Sequence, residues 1–447
     1  MSGVSGRLRL QRIGFRNGYL YLLIGAFFIS SDDTLFVVNV PFALRLSIIL
    51  LAGFIIVGLL KMTQQVRVAL PYGYLYLLGW AAASVFSLLF TPVLYFSIVQ
   101  TMFFLFDVVL VFAMVNIATP ANFSRLLNFY FMSFGVMAAF GLLQFFGGLV
   151  GLDFLAKQHW TAHLNRINGL SYEPSYYAVY ISAGMITLGY LKYKKFEGLK
   201  RIGFYYNLTL AAMILSSSRT GESLVAIWYA RLLPAALALL LRGKLTKNLA
   251  RGLAAAGLFM GAVVLFVLAV GPSKFIFLLS GTGLYGTAAH SYDDRSNWTA
   301  QTWQIFTQHP VFGTGIGGVN YYCEIIRKGL ATQDPDILKT NPGANVTLEV
   351  AASVGIFGFA FVFLYFIGFL RRIWRLGDRN PVITGLTLGL VAEIYLLQFT
   401  QDIQRIYLWL HIGMLCAAIK VYGPGEKPIM PRSPSLVPPA PRRVETV

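Results

Sequence analysis

Three arginines fall at the ends of apolar runs in a chain where Asp, Glu, Lys and Arg make up only 12% of 447 residues. Arg166 shares the stretch "HLNRINGLSYEPSYYAVY" with Glu173, Arg219 shares "SSSRTGE" with Glu222, and Arg295 closes "HSYDDR" after His290, Asp293 and Asp294. A guanidinium is permanently charged and presents a planar fork of donors, which suits it to two-point binding of phosphate oxygens. Held in place, such groups stabilise charge that develops as a bond to phosphate breaks. The alternative for any one of them is snorkelling to lipid headgroups or pairing with an adjacent acid. Arg219 fits that alternative least, because it follows three serines in a short connection with no other need for charge.

Glu173 precedes Pro174, so it reads either as the start of a helix or as a carboxylate whose pKa partial burial can tune for work as a general base or acceptor ligand. Tyr172, Tyr176 and Tyr177 read as an interfacial aromatic belt, with stacking on sugar rings as the other option. Asp107, Arg231, Glu349 and Glu393 stand inside apolar runs, where lipid exposure costs about 2.5 to 3.5 kcal/mol each, so they must face protein or water. Glu349 lies one turn beyond Asn345 and is expected to line the same cavity as the arginines. Metal chemistry is poorly supported: His159 and His163, and the pair Asp334 and Asp336, have no third and fourth ligand nearby. The run "GTGIGG" (313–318) has no strand before it, so a tight turn packed on a helix explains it better than a nucleotide loop. Cys323, in a loop, and Cys416, in an apolar run, make no disulfide framework.

The elements that must position these residues are membrane helices. The chain is 57% hydrophobic with 36 Phe and 24 Tyr, and its apolar runs lack the alternation of barrel strands. Windows of about 20 residues place spans near 13–31, 42–60, 70–90, 94–116, 126–149, 174–191, 202–217, 223–241, 253–271, 346–370, 382–400 and 405–422. The fold class is therefore all-α, a polytopic integral membrane protein of about twelve transmembrane helices. Basic residues gather in alternate connections, among them Arg7 to Arg16, Lys61, Lys192 to Arg201, Arg242 to Arg251 and Arg371 to Arg379. That distribution explains the net charge of +18 without nucleic acid and puts both termini in the cytoplasm. The first span is expected to stay uncleaved, since no small-residue cleavage pattern follows it. Residues 1–422 then form one helical domain with a large external loop at 272–344, and 423–447 a disordered Pro-rich cytoplasmic tail. The absence of a fixed internal repeat argues against a two-halved transporter such as a lipid-oligosaccharide flippase.

Four segments together resemble the O-antigen ligase and O-antigen polymerase superfamily: "RINGLSYEPSYYA", "SSSRTG", "DRSNWTAQTWQIFTQHPVFGTGIGGVNYY" and "ANVTLEVAASVGIFG". The resemblance implies a GT-C-like glycosyltransferase of the bacterial inner membrane that acts on undecaprenyl-diphosphate-linked oligosaccharide on the periplasmic side. It implies no metal, nucleotide sugar or other cofactor, and a chain-length regulator as a further partner. By motif, Arg219 and Arg295 stand where the family's diphosphate-binding arginines stand, with Glu173 as the third catalytic candidate. Arg166, Tyr172, His290, Asn345 and Glu349 would bind substrate. The ligase pattern of a histidine, then Asn, then two glycines three apart is met by Asn345, Gly355 and Gly358, but alanine occupies the histidine position, 344. Alanine cannot accept a proton, which tilts the reading from ligase to polymerase, with Glu173 or His290 as the base.

Overall fold

A computed structural model describes residues 18–33, 37–40, 42–63, 68–152, 154–157, 159–161, 164–230, 288–339, 343, 345–376, 380–399 and 403–423, and the single positions 261, 264 and 268. Arg231, His163, Ala344, most of the ninth expected span and the tail beyond 423 lie outside these residues. So do the side chains of His159, His290, Asp293, Asp294 and Arg295.

The described chain is mostly helical. Its helices are α1 (Tyr19–Ile29), α2 (Leu46–Thr63), α3 (Tyr74–Phe86), α4 (Leu94–Ile117), α5 (Pro120–Leu149), α6 (Pro174–Tyr193), α7 (Ile202–Leu215) and α8 (Arg219–Ala230). Then follow α9 (Ala288–Gln308), α10 (Gly318–Lys328), the short α11 (Pro335–Lys339), α12 (Val346–Leu376), α13 (Pro381–Leu397) and α14 (Ile406–Tyr422). Two antiparallel ribbons interrupt the helices, β1 (Val37–Val40) with β2 (Phe42–Arg45) and β3 (His159–Thr161) with β4 (Leu164–Asn165). Among the described residues, α2, α4, α5 and Val346–Arg372 of α12 are long and apolar enough to cross a membrane, and α1, α3, α7, α13 and α14 are shorter apolar helices. At ~1.5 Å per residue, α4 and α5 exceed the ~30 Å of a hydrocarbon core.

Local sequence explains where several helices begin. Thr119 and Asn122 form a reciprocal capping box ahead of Pro120, and the Asn380 carboxamide oxygen accepts from the amides of Val382 and Ile383 ahead of Pro381. Asn345 does the same for α12, accepting from Thr347 and Leu348. Helix α6 is buried along nearly its whole length, as is α14, so these two form the centre and their all-round apolar sequences match that position. Helix α13 comes close to both through Gly385 and Gly389. A Cβ on Gly389 would meet His411 and the Ala183 carbonyl, and Thr187 donates to the Gly385 carbonyl at 3.1 Å. His411 reaches Glu393 (3.1 Å) within this centre, so Glu393 faces protein as the sequence requires.

The bundle has two chemically distinct ends. At one, Lys61 sits over the Tyr19 ring, Arg125 donates to the Tyr21 hydroxyl, Arg372 lies over Tyr72, and Lys420 donates to the Val115 and Ala118 carbonyls that close α4. At the other stand Asp33, Arg45, Glu173, Arg219, Asn345 and Arg405, tied by Asp33 to both Arg45 and Arg405 and by Thr347 to Gln398.

Helix α12 is broken at Gly355, whose φ is 66°. The groups freed by the break are satisfied by the segment 310–315: Thr314 and Gly315 donate to the carbonyls of Ala352 and Ser353, and Ile356 donates to the Pro310 carbonyl. Any Cβ at Gly355 would overlap the Val311 carbonyl, and Gly313 and Gly315 also have positive φ. The glycine run is thus a turn docked on a helix, backbone to backbone.

Candidate functional site

The site is organised by the segment 164–177, which runs inside the protein rather than over it. Gln144 of α5 holds its turn: the carboxamide oxygen accepts from the amides of Asn168 and Gly169, and the nitrogen donates to the carbonyls of Phe154 and Gly169. Asn168 donates to the Ser171 carbonyl, and Ser171 to the carbonyl of Ser31. The segment thereby fixes a cation on one side and α6 on the other.

On the first side, Arg166 donates to the carbonyl of Ser217 at 3.1 Å. Ser217 has a positive φ of 49°, which turns the chain between α7 and α8. Ser218 begins α8: its hydroxyl approaches the Gly221 amide, and its carbonyl accepts from Glu222. Gly221 is small because a Cβ there would press on Met213 and Ala178. Arg219 is the first residue of α8, and Glu222 follows in its first turn, ahead of the apolar run from 223. Burial pushes the Glu222 carboxyl up from its ordinary range, while the charges of Arg166 and Arg219 pull it back down. Both guanidiniums therefore act on one half-buried carboxyl.

On the second side lies a group that sequence reasoning missed. Asp33 binds Arg45 (2.9 Å) and Arg405 (3.0 Å), and the Arg405 guanidinium lies over the Tyr176 ring, 3.9 Å from its centre. The signal was present, since Arg45 and Arg405 are charges at or near the starts of apolar runs, as Arg219 is. What was missing was their common partner, which reaches Arg405 across 372 positions of sequence. Arg45, Tyr176 and Arg405 line a cavity of about 370 Å³, together with Trp80, Gln100, Asp107, Lys339 and Glu349. That volume lies in the range of small-molecule sites.

Several expectations need correction. Glu349 does line a cavity, but its cationic neighbours there are Arg45, Arg405 and Lys339, and neither Arg166 nor Arg219 is among the lining residues. The aromatic belt reduces to Tyr172, which is 59% exposed. Tyr177 is fully buried and donates to the Met137 carbonyl, and Tyr176 serves Arg405, because α6 enters the protein at once rather than at a lipid boundary. Glu173 does precede the first turn of α6, but its side chain makes no cap and accepts instead from the Ser175 hydroxyl at 3.0 Å. Asn345 spends its carboxamide oxygen on capping α12. Cys323 stands on α10 rather than in a loop, packed with Ile305, Val319 and Ala352, and burial pushes its thiol up to about 12. Arg295 and His290 belong to α9, which packs on α12. Among the described residues no group of three metal-ligating side chains occurs, and Asp334 caps the Asp336 amide in a turn.

Residues 204–364 match the family model described as O-antigen ligase. The match covers Arg219, Arg295, Asn345, Glu349 and the broken start of α12, and it supports the O-antigen ligase and polymerase superfamily to which the motifs point. No curated protein matches the chain.

Proposed function

We propose that this membrane protein, whose matched segment carries the O-antigen ligase signature, polymerises lipid-diphosphate-linked oligosaccharide repeat units. The observation that carries the reading is that Arg166 donates to the Ser217 carbonyl, two residues before Arg219 at the start of α8, so two guanidiniums whose charges act on Glu222 stand at the end of the bundle that also holds the cavity. The diphosphate of the carrier binds these arginines, with Arg295 of α9 as the third. The bond between the anomeric carbon and the diphosphate oxygen breaks, and its electron pair stays on the diphosphate, where the guanidiniums offset the growing charge. A hydroxyl of a second lipid-linked unit attacks the anomeric carbon and gives its proton to Glu173, which lies at the head of α6.

The carrier is undecaprenyl diphosphate, the membrane the bacterial inner membrane, and the site faces the periplasm. About twelve spans in a GT-C-like arrangement fit the helices and the alternation of basic connections, with both termini in the cytoplasm. The second reading is ligation, transfer of the glycan to lipid A core or another acceptor, and the description of the matched family favours it. Alanine at 344, where that reaction uses a histidine, favours polymerisation. Incubating purified protein with lipid-diphosphate repeat units tests both. A ladder of longer lipid-linked glycans is the expected result; transfer only to an added foreign acceptor supports ligation, and translocation without a new bond removes both.

A further inference from the structure

The two arginine groups differ in charge balance, and that difference assigns them different ligands. In the cavity, Arg45 and Arg405 share Asp33, while Lys339 also meets Asp336 at 3.1 Å. Among the described residues, the cavity's cations Arg45, Arg405 and Lys339 stand with two acids of its lining, Asp107 and Glu349, and with their ion-pair partners Asp33 and Asp336, so positive charge is not in excess there. A diphosphate placed there would add negative charge to such a set, inside walls of Trp80, Phe96 and Phe104 where an uncompensated charge is costly. A sugar adds none. Its hydroxyls suit the carboxylates and carboxamides that line the cavity, Glu349, Asp107 and Gln100, and its apolar ring faces suit Tyr95 and Trp80.

We propose that this cavity binds the uncharged terminal sugars of the acceptor glycan, and that Arg45, Asp33 and Arg405 are positioning residues that frame it. The site is separate from the diphosphate grip at Arg166 and Arg219. Tyr176, which lines the cavity, stands in the first turn of α6 and Glu173 immediately precedes that turn, so the carboxylate that takes the proton is three residues from the cavity wall. The inference rests on the glycosyl-transfer reading above, but its test does not depend on turnover.

The test measures binding to the purified full chain by intrinsic tryptophan fluorescence, since Trp80 lines the cavity, with two probes. One is the repeat-unit oligosaccharide freed of its lipid diphosphate, the other inorganic pyrophosphate. Glu349→Gln should weaken oligosaccharide binding about tenfold, the effect of one lost charge-assisted hydrogen bond, and leave pyrophosphate binding unchanged. Arg219→Ala should do the reverse, and Gln100→Ala should repeat the Glu349→Gln result if that variant folds poorly. Weaker pyrophosphate binding in Glu349→Gln or Gln100→Ala, or oligosaccharide binding indifferent to both, overturns the proposal. A wild-type chain that binds oligosaccharide in this way but builds no glycan ladder would sink the polymerase reading and leave the sugar site standing.

Discussion

Arg405 and Arg219 occupy the same end of the bundle in opposite circumstances. Arg405 is buried, stacked on Tyr176 and bound to Asp33. Arg219 is half-buried at the first turn of a helix, and the carboxyl it shares with Arg166 is one that burial tends to protonate. Arg405 holds a carboxylate in an ion pair, whereas Arg219 acts on a carboxyl whose charge burial opposes. The same side chain thus stands in a buried ion pair in one place and at a half-buried helix start in the other.

Removing the shared carboxylate should separate the two groups most. Asp33→Ala takes the shared carboxylate from one buried and one partly buried guanidinium, and a loss of about 3 to 5 kcal/mol is expected, seen as a large fall in the thermal midpoint in detergent. Arg219→Ala should shift that midpoint little, about 1 kcal/mol or less, and abolish long-chain glycan in cells; normal chain length would end its assignment to the diphosphate. Gly355→Ala comes next. Strain at its positive φ and extended ψ costs about 1 to 3 kcal/mol, and the clash with Val311 should release segment 310–315 and expose α9 to α11 to proteolysis. Because Ile316 and Gly317 line the cavity, oligosaccharide binding should fall while pyrophosphate binding holds.

The smallest effect is expected at Glu222. Its folded pKa is raised, so the stability it contributes is fully present below the unfolded value of 4.5 and is lost as pH rises through the folded value. Glu222→Gln should flatten the rise in thermal midpoint seen on acidification toward pH 4.5, with little change at pH 7. An unaltered pH profile would mean that the carboxyl is not half-buried between the arginines.

Much of this was legible in the sequence because hydropathy and loop charge are local. The helices α2, α4 and α5 begin and end within a few residues of the apolar runs, and Lys61, Lys192 and Lys420 mark one end as the positive-inside pattern requires. The motif around Arg166 and the serines before Arg219 are also local, and the structure brings them together through the Ser217 carbonyl. The Asp33 pairings were not legible, since nothing in a local window links a residue of the first connection to one that precedes the last helix. For the same reason Glu349 was given the wrong arginines. The glycine run was readable as a turn, but its docking partner at Gly355 was not, because one set of main-chain groups gives no sign of which other set it will meet.

That docking has a consequence for how such a chain can diversify. The fastening between segment 310–315 and α12 is made by amides and carbonyls that every residue possesses, and only the glycines are individually demanded. Val311, Phe312 and Ile316 can therefore be exchanged without unfastening the loop, so the surface it presents can change while its anchorage stays the same.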